Sequence, residues 1–211
     1  MQKLKNIGVG FLVSFIGSIP LGYLNVVGFD IYSQKGLLVT IYYLLGVVLI
    51  EFIVIFFTLI FAKKLSENKK LTKYIEGFSV LFMLVLAAFF YLSANSEITN
   101  RTVFSNVSQN FFLAGLLFSS LNFIQIPFWT GWNLYLLNGN FIEISKSRKY
   151  FYICGTAAGT FVGMLMLILS LHYFASNVDF LSQYLTTFII PLVFFGLGIF
   201  QAFKFYKKYL R

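Results

Sequence analysis

A single carboxyl group, Glu51, sits in an otherwise uncharged apolar run from Leu37 to Ala62. An acid in such surroundings can gain and lose a proton, or it can hold a cationic group such as an ammonium. Burial favours the neutral acid unless a bound cation or a wet cavity stabilises the anion. The plain alternative is a neutral glutamic acid hydrogen-bonded to a neighbouring helix. A second set of groups is amides: Asn25, Asn122, Gln125 and Asn133. Amides donate and accept at once, so they suit a zwitterion or several hydroxyls. They serve equally as fasteners between helices, worth around 0.6–2 kcal/mol each.

These amides gather around two prolines. Pro20 is followed by Gly22 and Asn25, and Pro127 by Gly131 and Asn133. A proline inside a helix removes one backbone donor and crowds the carbonyl four residues earlier, and a nearby glycine weakens the helix further. In an apolar medium the freed polar groups are tolerated only where they face protein or a wet cavity. Each proline therefore marks either a binding site or a packing kink. Pro191 lacks polar neighbours and reads as a kink.

Other chemistries lack their residues. One cysteine, Cys154, excludes an internal disulfide and a multi-cysteine metal site, and one histidine, His172, leaves no histidine-based centre. Paired-acid proteolysis needs a second deep carboxyl, and Ser–His chemistry would need His172, which falls near the end of an apolar run. No enzyme activity, cofactor or metal is expected.

The elements that position these groups are helices in a bilayer. The chain of 211 residues is 59% hydrophobic and 11% charged, with a mean hydropathy of +0.83. A water-facing domain of this length carries roughly 25% charged residues. The net charge of +9 is concentrated in short basic clusters between apolar runs. These clusters suit anionic headgroups and the membrane potential, and nothing interleaves basic and aromatic residues as a nucleic-acid surface would. About 20 apolar residues cross the hydrocarbon core as a helix. Six segments qualify, at roughly 6–29, 37–62, 75–95, 109–137, 150–173 and 183–204. They are too continuously apolar for barrel strands. The first is too long for a signal-peptide core and has no cleavage site.

Charge asymmetry tests this count. With six spans, the ends and even-numbered connections share one face and hold Lys3, Lys5, Lys63, Lys64, Lys69, Lys70, Lys73, Lys146, Arg148, Lys149, Lys204, Lys207, Lys208 and Arg211. The opposite face holds Lys35 and Arg101. The positive-inside rule then places both termini in the cytoplasm. The expected fold is an all-α integral membrane domain spanning 1–211, N-in and C-in.

Ile19-Pro20-Leu21-Gly22-Tyr23-Leu24-Asn25 in the first span and Ile126-Pro127-Phe128-Trp129-Thr130-Gly131-Trp132-Asn133 in the fourth share Ile-Pro, Gly and Asn in order. Span one runs outward and span four inward, so a duplication of three spans must be inverted, with repeat one at about 1–95 and repeat two at about 109–211. Interrupted helices at corresponding places in inverted repeats mark many secondary transporters. Gly155, Gly159 and Gly163 recur every four residues and predict close helix packing, within one chain or between two copies.

The sequence resembles a divergent member of the lysine-exporter (LysE-type) translocator family. The resemblance rests on Ile19–Asn25, on the Lys35-Gly36 turn, and on Gly115-Leu116-Leu117-Phe118-Ser119-Ser120-Leu121-Asn122 leading into the fourth span. Asn122 precedes Phe123, with the proline displaced to Pro127, and the second proline of a Pro-Gly-Pro motif is absent. The resemblance implies proton-coupled export of amino acids or related small solutes from the bacterial cytoplasmic (inner) membrane, often by homodimers. The expected site comprises Glu51, Pro20, Gly22, Asn25, Asn122, Gln125, Pro127 and Asn133. A small-ion carrier and a non-transporting membrane scaffold are the competing expectations.

Overall fold

The computed structural model describes residues 2–18, 22–67, 110–145, 147–177 and 190–209, with positions 70, 73, 74, 76–78, 80, 81, 84, 85 and 88. Pro20, most of the expected third span, residues 183–189 of the sixth, and Lys69, Arg101, Lys146 and Arg211 lie outside the described residues. The helices in chain order are α1 (Gln2–Ser18), α2 (Tyr23–Lys35), α3 (Leu37–Glu67), α4 (Phe111–Ser120), α5 (Gln125–Asn138), α6 (Arg148–Asn177) and α7 (Ile190–Tyr209). Among the described residues there is no strand.

Local chemistry sets the boundaries. Gly36 adopts φ +78° beyond α2 and donates its N–H to the Tyr32 carbonyl, a left-handed ending suited to glycine. Asn110 caps α4 by accepting from the Leu113 N–H at 3.3 Å. Pro127 is the third residue of α5. In that first turn its missing N–H would have no intrahelical partner anyway. The helix therefore stops before the proline and restarts around it, over Leu121–Ile124.

α3 and α6 each contain a segment long and apolar enough to cross a membrane, Leu37–Ala62 and Arg148–Phe174. Two bent pairs pass the same test only when joined: α1 with α2 at 77°, and α4 with α5 at 71°. The described residues thus supply two to four candidate spans. The outward face of α3 carries Leu38, Tyr42, Leu45, Leu49, Ile53, Phe57 and Ile60, all exposed and spaced three or four apart. A stripe of that length would be a large apolar patch in water and is a natural lipid face.

Glycines decide how the helices meet. A Cβ on Gly155, Gly159 or Gly163 would run into the backbone of Ile7, Phe11 or Phe15, so the glycine stripe of α6 is the seam against α1 within one chain. A second seam joins α3 to α4, where Gly46 meets the Phe112 carbonyl and Gly115 the Tyr43 carbonyl. α7 meets the segment around 73–84: Gly198 lies beside Leu84, Gly77 beside Phe205, and Lys208 pairs with Glu76 at 2.7 Å.

Two apolar clusters fill the interior. One joins Val27 and Ile31 of α2 to Tyr43, Leu44 and Val47 of α3 and Met164 and Ile168 of α6. The other joins Ile55 and Leu59 of α3 to Trp129 and Leu136 of α5 and to Ile142, Tyr152 and Ile153. Glu51 falls between Val47 and Ile55, one turn from each, where the two clusters part.

At one end of the bundle Asn6 of α1 donates to the carbonyls of Glu143 (2.7 Å) and Arg148 (3.0 Å) and accepts from the Glu143 N–H (3.3 Å). Lys3, Lys5, Arg148 and Lys149 are therefore neighbours at the same end. His172 meets Tyr32 edge-on at 4.7 Å between ring centres at the other, close to Lys35.

Candidate functional site

Glu51 lies mid-helix, about 21 Å from Leu37 at about 1.5 Å per residue. Its side chain is half-buried. Trp129 of α5 donates its indole N–H to Glu51 Oε1 at 3.0 Å, and Thr160 of α6 lies beside the same carboxyl. Thr160 in turn shares a 2.5 Å hydrogen bond with Ser14 of α1. Trp129, Thr160 and Ser14 are each at most 2% exposed. Four helices thus contribute one side chain apiece to a polar layer between the apolar clusters.

The chemistry of the partners differs. An indole N–H can only donate, so it suits Oε1 whether or not the acid carries a proton on its other oxygen. A threonine hydroxyl donates to a carboxylate and accepts from a carboxylic acid by rotating its proton. The Trp129 bond therefore does not depend on the protonation state of the carboxyl.

The breaks in the two bent pairs are closed alike. At the first, the Asn25 amide donates to the Ser18 carbonyl at 3.1 Å. At the second, the Gln125 amide donates to the Ser119 carbonyl at 2.9 Å. Each adds a donor to a carbonyl in the last turn of the preceding helix, where intrahelical partners run out; Ser119 O also accepts from the Asn122 N–H at 3.1 Å. The serines that end the two half-helices also match: Ser18 donates to Ser14 O at 2.8 Å and Ser120 to Leu116 O at 2.7 Å. Tyr23 of α2 bridges the two breaks by donating to the Phe118 carbonyl at 2.5 Å.

The expected site residues divide accordingly. Gly22 caps α2, its carbonyl accepting from Asn25 N–H (3.0 Å) and Val26 N–H (3.2 Å). Asn133 is fully buried and occupied at both ends, donating to Thr58 at 3.1 Å and accepting from Tyr152 at 2.8 Å. It ties α5 to α3 and α6 two turns beyond Gln125. Asn122 stands in the second break, half-buried. Among the described residues its side-chain amide makes no hydrogen bond, which makes it the amide most available to a ligand. Pro127 is half-buried, while Pro20 is outside the described residues.

Sequence reasoning missed Ser14 and Thr160. The signal for them was register: Ser14 lies midway between Gly10 and Ser18, and Thr160 is next to Gly159 in the glycine stripe. Gln125, Trp129 and Asn133 likewise recur every four residues and share one face of α5. Among the described residues no group of three or more His, Cys, Asp or Glu is placed to hold a metal ion. No family model, curated protein or solved structure matches this chain.

Proposed function

We propose that this protein is a secondary transporter rather than an enzyme. It exports amino acids or related small solutes across the bacterial cytoplasmic membrane, with Glu51 as the group that takes up and releases the coupling proton. The observation that carries this reading is the placement of Glu51, a lone half-buried acid at mid-helix held by the indole N–H of Trp129 of α5. An intramembrane acid in such a place is a functional group by default.

The architecture we propose for it has six spans in a single domain, as two inverted three-helix repeats with both termini inside. The pattern of packing supports this. A two-fold axis in the membrane plane would exchange α1 with α4, α2 with α5 and α3 with α6. The α1–α6 glycine seam then corresponds to the α3–α4 seam, and the α2–α6 contact to the α3–α5 contact. The latches Asn25–Ser18 and Gln125–Ser119 correspond in the same way. Interrupted helices in matched positions are where carriers of this type bind their solutes. Half-buried Asn122, with Gly22 and Pro127 at the breaks, belongs to the solute site, together with Pro20.

Flux of radiolabelled amino acids into proteoliposomes, driven by an imposed pH gradient, tests the reading. The parent protein should move at least one of them, and Glu51→Gln should lose the dependence on the gradient. No flux of any amino acid, with parent and Glu51→Gln alike, would defeat it. A small-ion carrier and a non-transporting scaffold are then the readings that remain, and one observation favours the scaffold: the amides of Asn25, Gln125 and Asn133 all donate to groups of the protein itself.

A further inference from the structure

We propose that the basic end of the α3–α6 pair holds one anionic phospholipid, with its phosphodiester on Lys149 and an acyl chain along the exposed stripe of α3. Such a site presupposes that the chain sits in a bilayer, as proposed above, but not that it carries a solute.

The headgroup end is built on two rings. Phe56 of α3 and Tyr150 of α6 stack with centres 6.3 Å apart and planes 19° from parallel. The Lys149 ammonium stands over both, 5.5 Å from the Phe56 centre and 5.3 Å from that of Tyr150. Ring faces attract a cation at this range. Lys149 is half-buried in the first turn of α6, so its stem covers apolar surface while its charge reaches the end of the helix. An ammonium already restrained in this way loses less freedom when an anion binds.

Among the described residues no carboxylate neutralises Lys149. Glu143, the acid nearest in sequence, is paired with Arg148 and accepts from Ser145. Glu51, five residues before Phe56, accepts instead from Trp129 of α5. Other cations share this end: α3 runs on to Lys63 and Lys64, about 10–12 Å beyond Phe56, and α1 begins there with Lys3 and Lys5. An ammonium without a counter-ion, in a positive field at the start of an apolar helix, fits a phosphodiester.

Away from that end the surface turns apolar. Phe56 meets Phe57 edge-on at 5.6 Å. Phe57, Ile53 and Leu49 are exposed and succeed one another at four-residue spacing on one face of α3. Together they offer an acyl chain about 12 Å of apolar contact running from the ring pair toward the middle of the helix. A free phosphate would use the ammonium alone, whereas a phospholipid uses the ammonium and the stripe that continues from it.

Native mass spectrometry of the full chain in neutral detergent, titrated with phosphatidylglycerol or phosphatidylcholine of identical acyl chains, tests the site. One phosphatidylglycerol should bind at least fivefold more tightly than phosphatidylcholine. Lys149→Gln should weaken phosphatidylglycerol by about fivefold, the size expected of one lysine beside an anionic lipid, and leave phosphatidylcholine unchanged. Lys149→Met gives the same reading if the glutamine protein does not fold. Tyr150→Leu keeps the charge and removes one ring, and it should weaken phosphatidylglycerol as well. Lys3→Gln removes an equal charge at the same end, from a seat over the Phe151 ring at 5.0 Å, and should have a smaller effect. Equal binding of the two lipids, no loss in Lys149→Gln or Tyr150→Leu, or as large a loss in Lys3→Gln would overturn the proposal. So would displacement of the lipid by an equal concentration of soluble glycerol phosphate, since the apolar half would then contribute nothing. Washing membranes with alkaline carbonate reads the bilayer placement separately. A chain stripped off by the wash would defeat the membrane reading itself, whereas a retained chain with no lipid preference would defeat only this site.

Discussion

Gln125 reaches back across the break between α4 and α5 and gives its side-chain amide to the Ser119 carbonyl at 2.9 Å. Asn25 makes the corresponding bond to Ser18 across the break between α1 and α2. A helix interrupted in an apolar setting leaves carbonyls that nothing in the medium can satisfy, and in each case one amide from the next half-helix supplies a donor, at Ser119 beside the one from the Asn122 N–H.

The latch is therefore a stabilising element with a measurable size. Gln125→Leu keeps most of the volume and removes the donor, leaving the Ser119 carbonyl buried without it. Stability should fall by about 0.5–1.5 kcal/mol, the net worth of one hydrogen bond, because the Asn122 N–H still donates to that carbonyl at 3.1 Å. Denaturant titration in detergent micelles reads the loss; Gln125→Glu at low pH, where the acid can donate, should recover part of it.

The glycines separate cleanly into seams and bystanders. Gly159→Ala places a Cβ against the Phe11 backbone, which cannot yield as a side-chain tip can. A loss of about 1–3 kcal/mol is expected from the overpacking. Gly8→Ala, on the same seam partner α1 but with nothing within 4 Å of the new Cβ, should be neutral or stabilising by about 0.5–1 kcal/mol through helix propensity. Melting temperatures of the two variants should move in opposite directions or only the first should move.

Asn6 docks the start of α1 on the connection before α6. It is fully buried and bonded to Glu143 and Arg148 backbone, so Asn6→Ala should destabilise by about 1–3 kcal/mol. Glu143 in the same connection has its carboxyl held below the ordinary glutamate range, first by the Ser145 hydroxyl at 2.6 Å and then by Arg148. A carboxyl lowered in the folded state contributes stability above its unfolded value and loses it as the pH falls through the folded one. The difference in stability between the parent and Glu143→Gln should thus be present at pH 7, shrink below about pH 4.5, and remain small throughout because the pair is exposed. Thermal melts of both proteins across that range check the sign.

Sidedness is open to a direct measurement. In a Cys154→Ala background, Lys3→Cys and Lys35→Cys should react with a membrane-impermeant maleimide from opposite faces, the first only after the cells are opened. Labelling of both from outside would refute the proposed orientation and with it the six-span count.

Much of the architecture was legible in the sequence because lipid imposes few solutions on a backbone. Uncharged runs of about 20 residues have to be helices. The two apolar helices α3 and α6 and the bent pairs α1–α2 and α4–α5 fall where those runs were read. Proline also marked the second break, although the chain interrupts itself at Leu121–Ile124, ahead of Pro127, because a proline fits the first turn of a new helix better than the middle of an old one. The Gly155–Gly159–Gly163 stripe announced a packing seam, but only coordinates could say that its partner is α1 of the same chain.

The site was legible in type and not in role. That Glu51 is the one acid deep in an apolar run is a fact of composition and order, and no fold is needed to see it. Which amides would be spent on the protein itself depends on the folded chain: Asn25 and Gln125 turn back to carbonyls 7 and 6 residues earlier across a helix break, and Asn133 bonds Thr58, 75 residues away. The sequence alone therefore determined a set of helices apolar enough to cross a membrane, with one carboxyl deep in an apolar run and two broken helices, because the apolar runs and prolines dictate those. Tertiary structure alone decided that Trp129 bonds that carboxyl while Asn25, Gln125 and Asn133 fasten the bundle, because hydrogen bonds are directional and short, and only the folded chain sets who is near enough to make them.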